Sequence, residues 1–71
     1  MIEVDKQRLK DIEYIVETEY GNYDRLVEAI GQERADEFCQ LGFIKTGNYL
    51  RAKTWRILDY GKFYYDVVKP E

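Results

Sequence analysis

The chain has 71 residues, of which 45% are hydrophobic and 35% charged, a balance typical of one folded domain rather than of a disordered or membrane-embedded chain. A single cysteine excludes an internal disulfide, and the lack of histidine excludes the usual zinc ligand sets. The net charge of −3 is uneven, because residues 1–42 carry net −6, residues 43–64 carry net +4 and the last seven carry net −1.

The first predicted helix follows an apolar stripe with spacings of three or four residues. The stripe comprises Leu9, Ile12, Val16, Tyr20 and Tyr23. Asp5 is the expected N-cap, since its carboxylate can accept a free N–H of the first turn. The turn signal Gly21-Asn22 ends the helix near Tyr20.

Two further helices are predicted in close succession. The second lies between a start signal at Asn22 or Asp24 and a stop at Gly31. The third ends at Gly42, which we expect in the left-handed conformation that glycine adopts without steric penalty. Phe43 should then pack back on the last turn of this helix.

Beyond the third helix the pattern becomes that of a β-hairpin. The segments FIKT and KTWRIL are β-prone, and GNYLRA between them contains turn residues, which predicts a loop of several residues. Asp59 is an expected N-cap for a last short helix, although an extended tail fits equally. The order predicts a single α+β domain over residues 1–71, with three helices, a hairpin and a terminal segment.

Two stretches resemble winged-helix regulators of the MarR-like and PadR-like kind. LGFIKTG (Leu41–Gly47) is similar to the junction between the third helix and the first wing strand, and TWRILDYGKFYYD (Thr54–Asp66) to the exit from the wing into the closing helix. The resemblance implies a small winged-helix-like domain in which Gly61 packs tightly under the wing strand. Turn statistics support an equal alternative, in which Gly61 is the left-handed residue of a turn. Leu58 stands where the family usually has a serine or threonine as the helix N-cap, so the expected N-cap shifts to Asp59.

The residues available for chemistry do not form a catalytic set. With no histidine and no Gly-rich phosphate loop, we expect a non-enzymatic protein without cofactor, metal or small-molecule substrate. Cys39 lies on an apolar helical face and is expected to be a core residue. The carboxylate pairs Glu13/Glu17 and Glu33/Glu37 are expected to be solvated surface, since hard cations need more oxygen ligands. No apolar run approaches the roughly 18 residues of a membrane span, and the start is charged, so we expect a cytoplasmic location.

The basic hairpin favours contact with double-stranded DNA. The candidate nucleic-acid-binding residues are Lys45, Tyr49, Arg51, Lys53 and Arg56 on the hairpin, with Arg34 and Gln40 on the third helix. The carboxylates of that third helix would be repelled by the DNA phosphates, which argues against its insertion into the major groove to contact base edges. The hypothesis is DNA association in transcriptional or mobile-element regulation, with the wing as the main contact.

A competing hypothesis is a protein-interaction or dimerisation module. The aromatic residues of the terminal segment would form a dimer seam comprising Tyr60, Phe63, Tyr64 and Tyr65. The basic hairpin of one molecule would alternatively meet the acidic helices of a second copy or of another protein. Tyr20, Tyr23 and Trp55 are expected in the core.

Overall fold

The computed structural model describes residues 6–69, which form a small α+β domain. The elements in chain order are α1 (Lys6–Thr18), β1 (Tyr20–Asn22), α2 (Tyr23–Ile30), α3 (Gln32–Leu41), β2 (Ile44–Tyr49), β3 (Ala52–Ile57) and α4 (Asp59–Val68). The predicted α+β class is confirmed, and the terminal segment is a helix rather than a tail. The expected uninterrupted run of three helices is absent from the described residues, because β1 lies between α1 and α2.

The three strands form an antiparallel sheet in the order β1-β3-β2. In β2 and β3 the pairing runs from Ile44 with Ile57 to Tyr49 with Ala52, so the hairpin closes with the two residues Leu50 and Arg51. Their φ angles of 48° and 70° are both positive, as in the primed turns that suit two-residue hairpins. The predicted loop of several residues is therefore wrong: strand pairing continues through Gly47 and the residues after it to the turn.

The core lies between the helices and one face of the sheet. Its buried residues are Ile12, Ile15, Tyr23, Leu26, Ala35, Phe38, Phe43, Ile44 and Trp55. Burial of Tyr23 and Trp55 confirms the prediction for these two residues. The prediction for Tyr20 is wrong, since this side chain is 71% exposed. Helix α1 ends at Thr18, and Tyr20 belongs to β1, where the helical spacing no longer applies.

The ends of α2 and α3 follow the predicted signals. The Asn22 side chain accepts hydrogen bonds from the backbone N–H of Asp24 at 2.8 Å and of Arg25 at 3.3 Å, which makes Asn22 the N-cap. Gly42 is left-handed, and the N–H of Phe43 donates to the Phe38 carbonyl at 2.9 Å, as predicted. The predicted cap of α1, Asp5, lies outside the described residues.

Gly61 lies in the first turn of α4, beneath the chain at Phe43. A Cβ atom at this position would stand 2.7 Å from the Phe43 carbonyl oxygen and 3.2 Å from Ile57 Cγ1. The φ angle of Gly61 is not positive. Tight packing under the strand is confirmed and the turn alternative is wrong. The predicted cap is also wrong: Leu58 is the N-cap, without a side-chain hydrogen bond, and Asp59 is the first helical residue.

Candidate nucleic-acid interface

The alternation of side chains along a strand divides the sheet into two faces. Ile44 and Trp55 point to the core, so Lys45 and Arg56, their chain neighbours, point to solvent. Arg56 is the cross-strand partner of Tyr20 on β1 and of Lys45 on β2. The three side chains therefore stand side by side on the outer face of the sheet.

The outer face forms an open groove of about 700 Å³. Its floor is made of small residues, since Gly47 and Thr54 are cross-strand partners in the middle of the hairpin. Two tyrosines line the groove, Tyr20 on β1 and Tyr49 at the end of β2, and they are 71% and 70% exposed. The groove thus has small side chains at its base and two exposed aromatic rings at its sides.

The charge of this groove is positive. Lys45 and Arg56 stand directly opposite each other, an arrangement of like charges that destabilises a sheet. Neither forms an ion pair with any carboxylate of residues 6–69. Glu19 also lines the groove, and its carboxylate lies 3.7 Å from the Lys62 ammonium. An anion bound between Lys45 and Arg56 would relieve their repulsion.

The remaining basic residues of the hairpin do not share this face. Arg51 lies in the turn and is exposed. Lys53 is on the inner side, where its ammonium lies 4.1 Å from the centroid of the Tyr23 ring, a cation–π contact. The structure thus brings Lys45, Arg56 and Tyr49 together, places Arg51 at the tip and separates Lys53 from them.

Tyr23 is held by hydrogen bonds as well as by Lys53. Its hydroxyl accepts from Gln32 Nε2 at 3.1 Å and donates to Asp36 Oδ1 at 3.2 Å. Burial raises the pKa of the Tyr23 phenol. These contacts tie Lys53 and Tyr23 to the helical side of the domain.

Arg34, a predicted base-contacting residue, takes part in an ion-pair network between α1 and α3. Its Nε donates to Asp11 Oδ2 at 3.1 Å, and its Nη1 lies 3.5 Å from Glu37 Oε2. Glu37 also lies 2.8 Å from Arg8 Nη2. Asp11 is only 3% exposed and was not singled out by the sequence pattern, although it precedes Ile12 and lies one helical turn before Ile15.

Gln40, the other predicted base-contacting residue, is exposed on α3. The same helix presents the exposed carboxylates of Glu33 and Asp36. Ala35 and Phe38 of α3 pack in the core beneath the inner face of the sheet. Helix α3 and the cationic groove therefore lie on opposite sides of the sheet and do not form one positive surface.

The four aromatic residues predicted to form a dimer seam divide into two pairs. Tyr60 and Phe63 are 53% and 64% exposed on α4, and one side of the Tyr60 ring lies 5.3 Å from the ring of Phe43. Val67 is 59% exposed and follows at helical spacing, so it extends the same stripe, although the sequence pattern did not identify it.

Tyr64 and Tyr65, in contrast, are half-buried in the domain. The Tyr64 ring lies 4.8 Å from the ring of Phe43, and the Tyr65 hydroxyl donates to Glu13 Oε2 at 3.3 Å. Both residues therefore contribute to packing within one molecule.

Comparison with known proteins gives no match. No family model fits the chain, and neither the curated proteins nor the solved structures contain a significantly similar one. Candidate functions therefore depend on the geometry alone.

The described residues show neither a metal centre nor a membrane-spanning helix. Residues 6–69 hold no group of three metal-ligating side chains placed to bind an ion. In the same range no helix combines the length and apolarity needed to cross a bilayer. Cys39 is half-buried against the core, and burial raises the pKa of its thiol.

Proposed function

We propose that this chain is a non-enzymatic, winged-helix-like module that associates with DNA in the cytoplasm and serves transcriptional or mobile-element regulation. The observation that carries the proposal is the opposed pair Lys45 and Arg56, unpaired with any described carboxylate, on an open face of the sheet. Phosphate groups are the anions that such a pair fits, since both side chains donate hydrogen bonds and carry full charge.

The order of elements supports the winged-helix part of the proposal. Helices α2 and α3 are separated by Gly31 alone, and the hairpin β2–β3 follows α3 after Gly42 and Phe43. A helix-turn-helix followed directly by a two-stranded wing is the arrangement that the resemblance implied. Fold by itself does not establish function, so the cationic face is the stronger argument.

The distribution of charge favours phosphate contacts over base reading. Contacts from Lys45, Arg56 and Arg51 to phosphates position a protein on DNA but carry no sequence information. The exposed carboxylates of α3 would be repelled by the backbone in a major groove. We therefore expect DNA binding with a strong dependence on salt and a weak dependence on sequence.

The test is a fluorescence anisotropy titration with a labelled short duplex and with its separated strands. The wild-type protein should bind at low salt. The magnitude of the slope of log K against log salt should fall by about 0.9 in each of the single variants Lys45→Ala and Arg56→Ala. Lys10→Ala is the matched control, because it removes one exposed positive charge from α1, away from the groove. Absence of binding to both forms of DNA at low salt would refute the proposal.

A second candidate function, self-association, is favoured by the exposed stripe Tyr60, Phe63 and Val67 on α4. The occupant that fits is a second copy, since two antiparallel α4 helices related by a two-fold axis would bury the same stripe on both molecules. A domain of this size also has marginal stability on its own, which burial against a copy would increase.

Sedimentation equilibrium tests this second candidate. The wild-type protein should show a dimer that dissociates in Phe63→Glu but not in Tyr49→Ala, which removes an equally exposed aromatic residue elsewhere. Tyr64 is unsuitable for this test because its ring packs on Phe43. A strict monomer at every concentration would exclude the dimer.

A further inference from the structure

The outer groove carries aromatic rings as well as charge. Tyr20 and Tyr49 are each about two-thirds or more exposed, and neither ring stacks on another ring of the described residues. Repulsion between Lys45 and Arg56 is a reason for an anion to bind between them. A phosphate by itself would not contact the two tyrosine rings, so the rings indicate a ligand with a further, stacking group.

The register of the sheet sets the distance between the rings. Tyr20 and Lys45 lie two strands apart in one row, and Tyr49 lies four residues beyond Lys45 on the same face. With strand spacing of about 4.8 Å and a rise of about 3.4 Å per residue, the two tyrosines are roughly 17 Å apart. Arg56 is the cross-strand neighbour of Tyr20, and Lys45 is the cross-strand neighbour of Arg56 on its other side. The small residues Gly47 and Thr54 form the next cross-strand pair on this face, between those two cations and Tyr49.

We propose that this groove binds an unpaired DNA strand, with bases stacked on Tyr20 and Tyr49 and phosphates held by Lys45 and Arg56. The inference rests on the proposed DNA association and specifies the form of DNA that the site takes. Paired bases are enclosed in the double helix, whereas unpaired bases can be splayed onto aromatic side chains on an open sheet.

The floor and the rim of the groove fit such a strand. Gly47 and Thr54 leave space above the sheet for a planar base between the two rings. Lys62 is a third cation, at the rim of the groove. Its ion pair with Glu19 is half-exposed, and such surface pairs contribute little free energy, so the pair is easily broken. A phosphate can therefore replace the Glu19 carboxylate at Lys62.

The experiment compares three labelled ligands of equal length: a single strand, an abasic strand with the same phosphates, and a duplex. The wild-type protein should bind the normal strand at least fivefold more tightly than the abasic strand. Tyr20→Leu and Tyr49→Leu should each lower affinity for the normal strand at least fivefold and leave affinity for the abasic strand unchanged. Tyr20→Phe, which keeps the ring, should bind as the wild type does.

The outcomes separate this inference from the proposed function. Equal binding of normal and abasic strands, or of wild type and Tyr49→Leu, would overturn the stacking and leave DNA association through phosphates in place. No binding of any of the three ligands at low salt would remove the DNA association itself. Circular dichroism checks that the variants are folded. If Tyr20→Leu does not fold, Tyr49→Leu, at the exposed end of β2, still tests the stacking.

Discussion

Gly61 is required by what surrounds it rather than by its own backbone conformation. The Phe43 carbonyl oxygen, which lies over Gly61, also accepts a hydrogen bond from the Leu58 N–H at 2.8 Å. This carbonyl is backbone and cannot rotate away as a flexible side chain would. The start of α4 is thus fixed against the junction between α3 and β2.

Gly61→Ala should lower the free energy of unfolding by roughly 1–2 kcal/mol. The new methyl group overpacks a backbone contact at 2.7 Å, which costs about 2–3 kcal/mol, and the gain in helix propensity from alanine offsets about 1 kcal/mol of that cost. Urea denaturation measures the change. Gly47→Ala is the control, since its Cβ would meet Thr54 Oγ1 at an ordinary 3.7 Å, and an equal loss in both variants would contradict the explanation.

Leu50 and Arg51 occupy left-handed conformations that residues with a Cβ rarely adopt. The primed turn favours asparagine followed by glycine at these positions. A leucine and an arginine therefore strain the hairpin tip, and strain of this kind concentrates at functional positions. The position of Arg51 in this strained turn is consistent with its proposed contact to phosphate.

Arg51→Gly should raise the free energy of unfolding by about 0.5–1 kcal/mol, because glycine removes a left-handed penalty but adds freedom to the unfolded chain. The same variant should weaken DNA binding, since a cation is lost. Leu50→Asn should raise stability without changing affinity. Thermal unfolding and anisotropy titrations of both variants measure these effects, and a less stable Arg51→Gly would show that the turn is not strained.

At the scale of elements, β1 is the part of the fold that the sequence pattern did not indicate. It has three residues, and its middle residue is a glycine, so neither alternation nor β-propensity marks it. It forms because Glu19 reverses the chain with a φ of 70° and its carbonyl accepts the Ile57 N–H at 2.7 Å. Pairing with β3 then moves Tyr20 from the expected core to the outer face.

Asn22→Ala should lower the free energy of unfolding by about 1 kcal/mol, because the two N–H groups at the start of α2 lose their acceptor. Asn22→Asp should be close to the wild type, since its carboxylate accepts the same bonds and complements the helix dipole. Chemical denaturation compares both with Asn48→Ala, which replaces an exposed asparagine on β2. Equal stabilities of the alanine variants would argue against the cap.

At the scale of the whole molecule, charge is separated between two sides of the sheet. The outer face carries Lys45 and Arg56, while the helical side carries the carboxylates of α3 and the partly buried pair Asp11 and Arg34. Such a pair contributes little net stability while it is intact, but loss of Arg34 leaves the buried Asp11 carboxylate without its counter-charge. Arg34 therefore has a structural role, which distinguishes it from the cations of the groove.

Arg34→Ala should lower the free energy of unfolding by roughly 1–3 kcal/mol, because the buried Asp11 carboxylate loses its counter-charge but keeps the Gln7 Nε2 donor at 3.0 Å. It should leave the salt dependence of DNA binding unchanged. Arg25→Ala, which removes an exposed arginine from α2, should change stability by less than about 0.5 kcal/mol. A reduced salt slope with normal stability in Arg34→Ala would instead support the original prediction of nucleic-acid contact.

Most elements could be predicted from the sequence because their signals are local. Asn22 and Gly42 mark helix ends by their own side-chain and backbone chemistry, and the β-prone segments after Gly42 form the hairpin. The candidate site was predictable only as a list of basic residues. Which of them share a face depends on register, and the shift from a long loop to a two-residue turn sets that register.

The sequence by itself determined the α+β class, the start of α2 at Asn22, the end of α3 at Gly42 and the positive charge of residues 43–64, since each depends on residues close together in the chain. Only the tertiary structure decided that Tyr20 joins Lys45 and Arg56, that Lys53 lies on Tyr23, and that Arg34 pairs with Asp11. These contacts join residues far apart in sequence. Their formation depends on the packing of helices and strands, which no local pattern encodes.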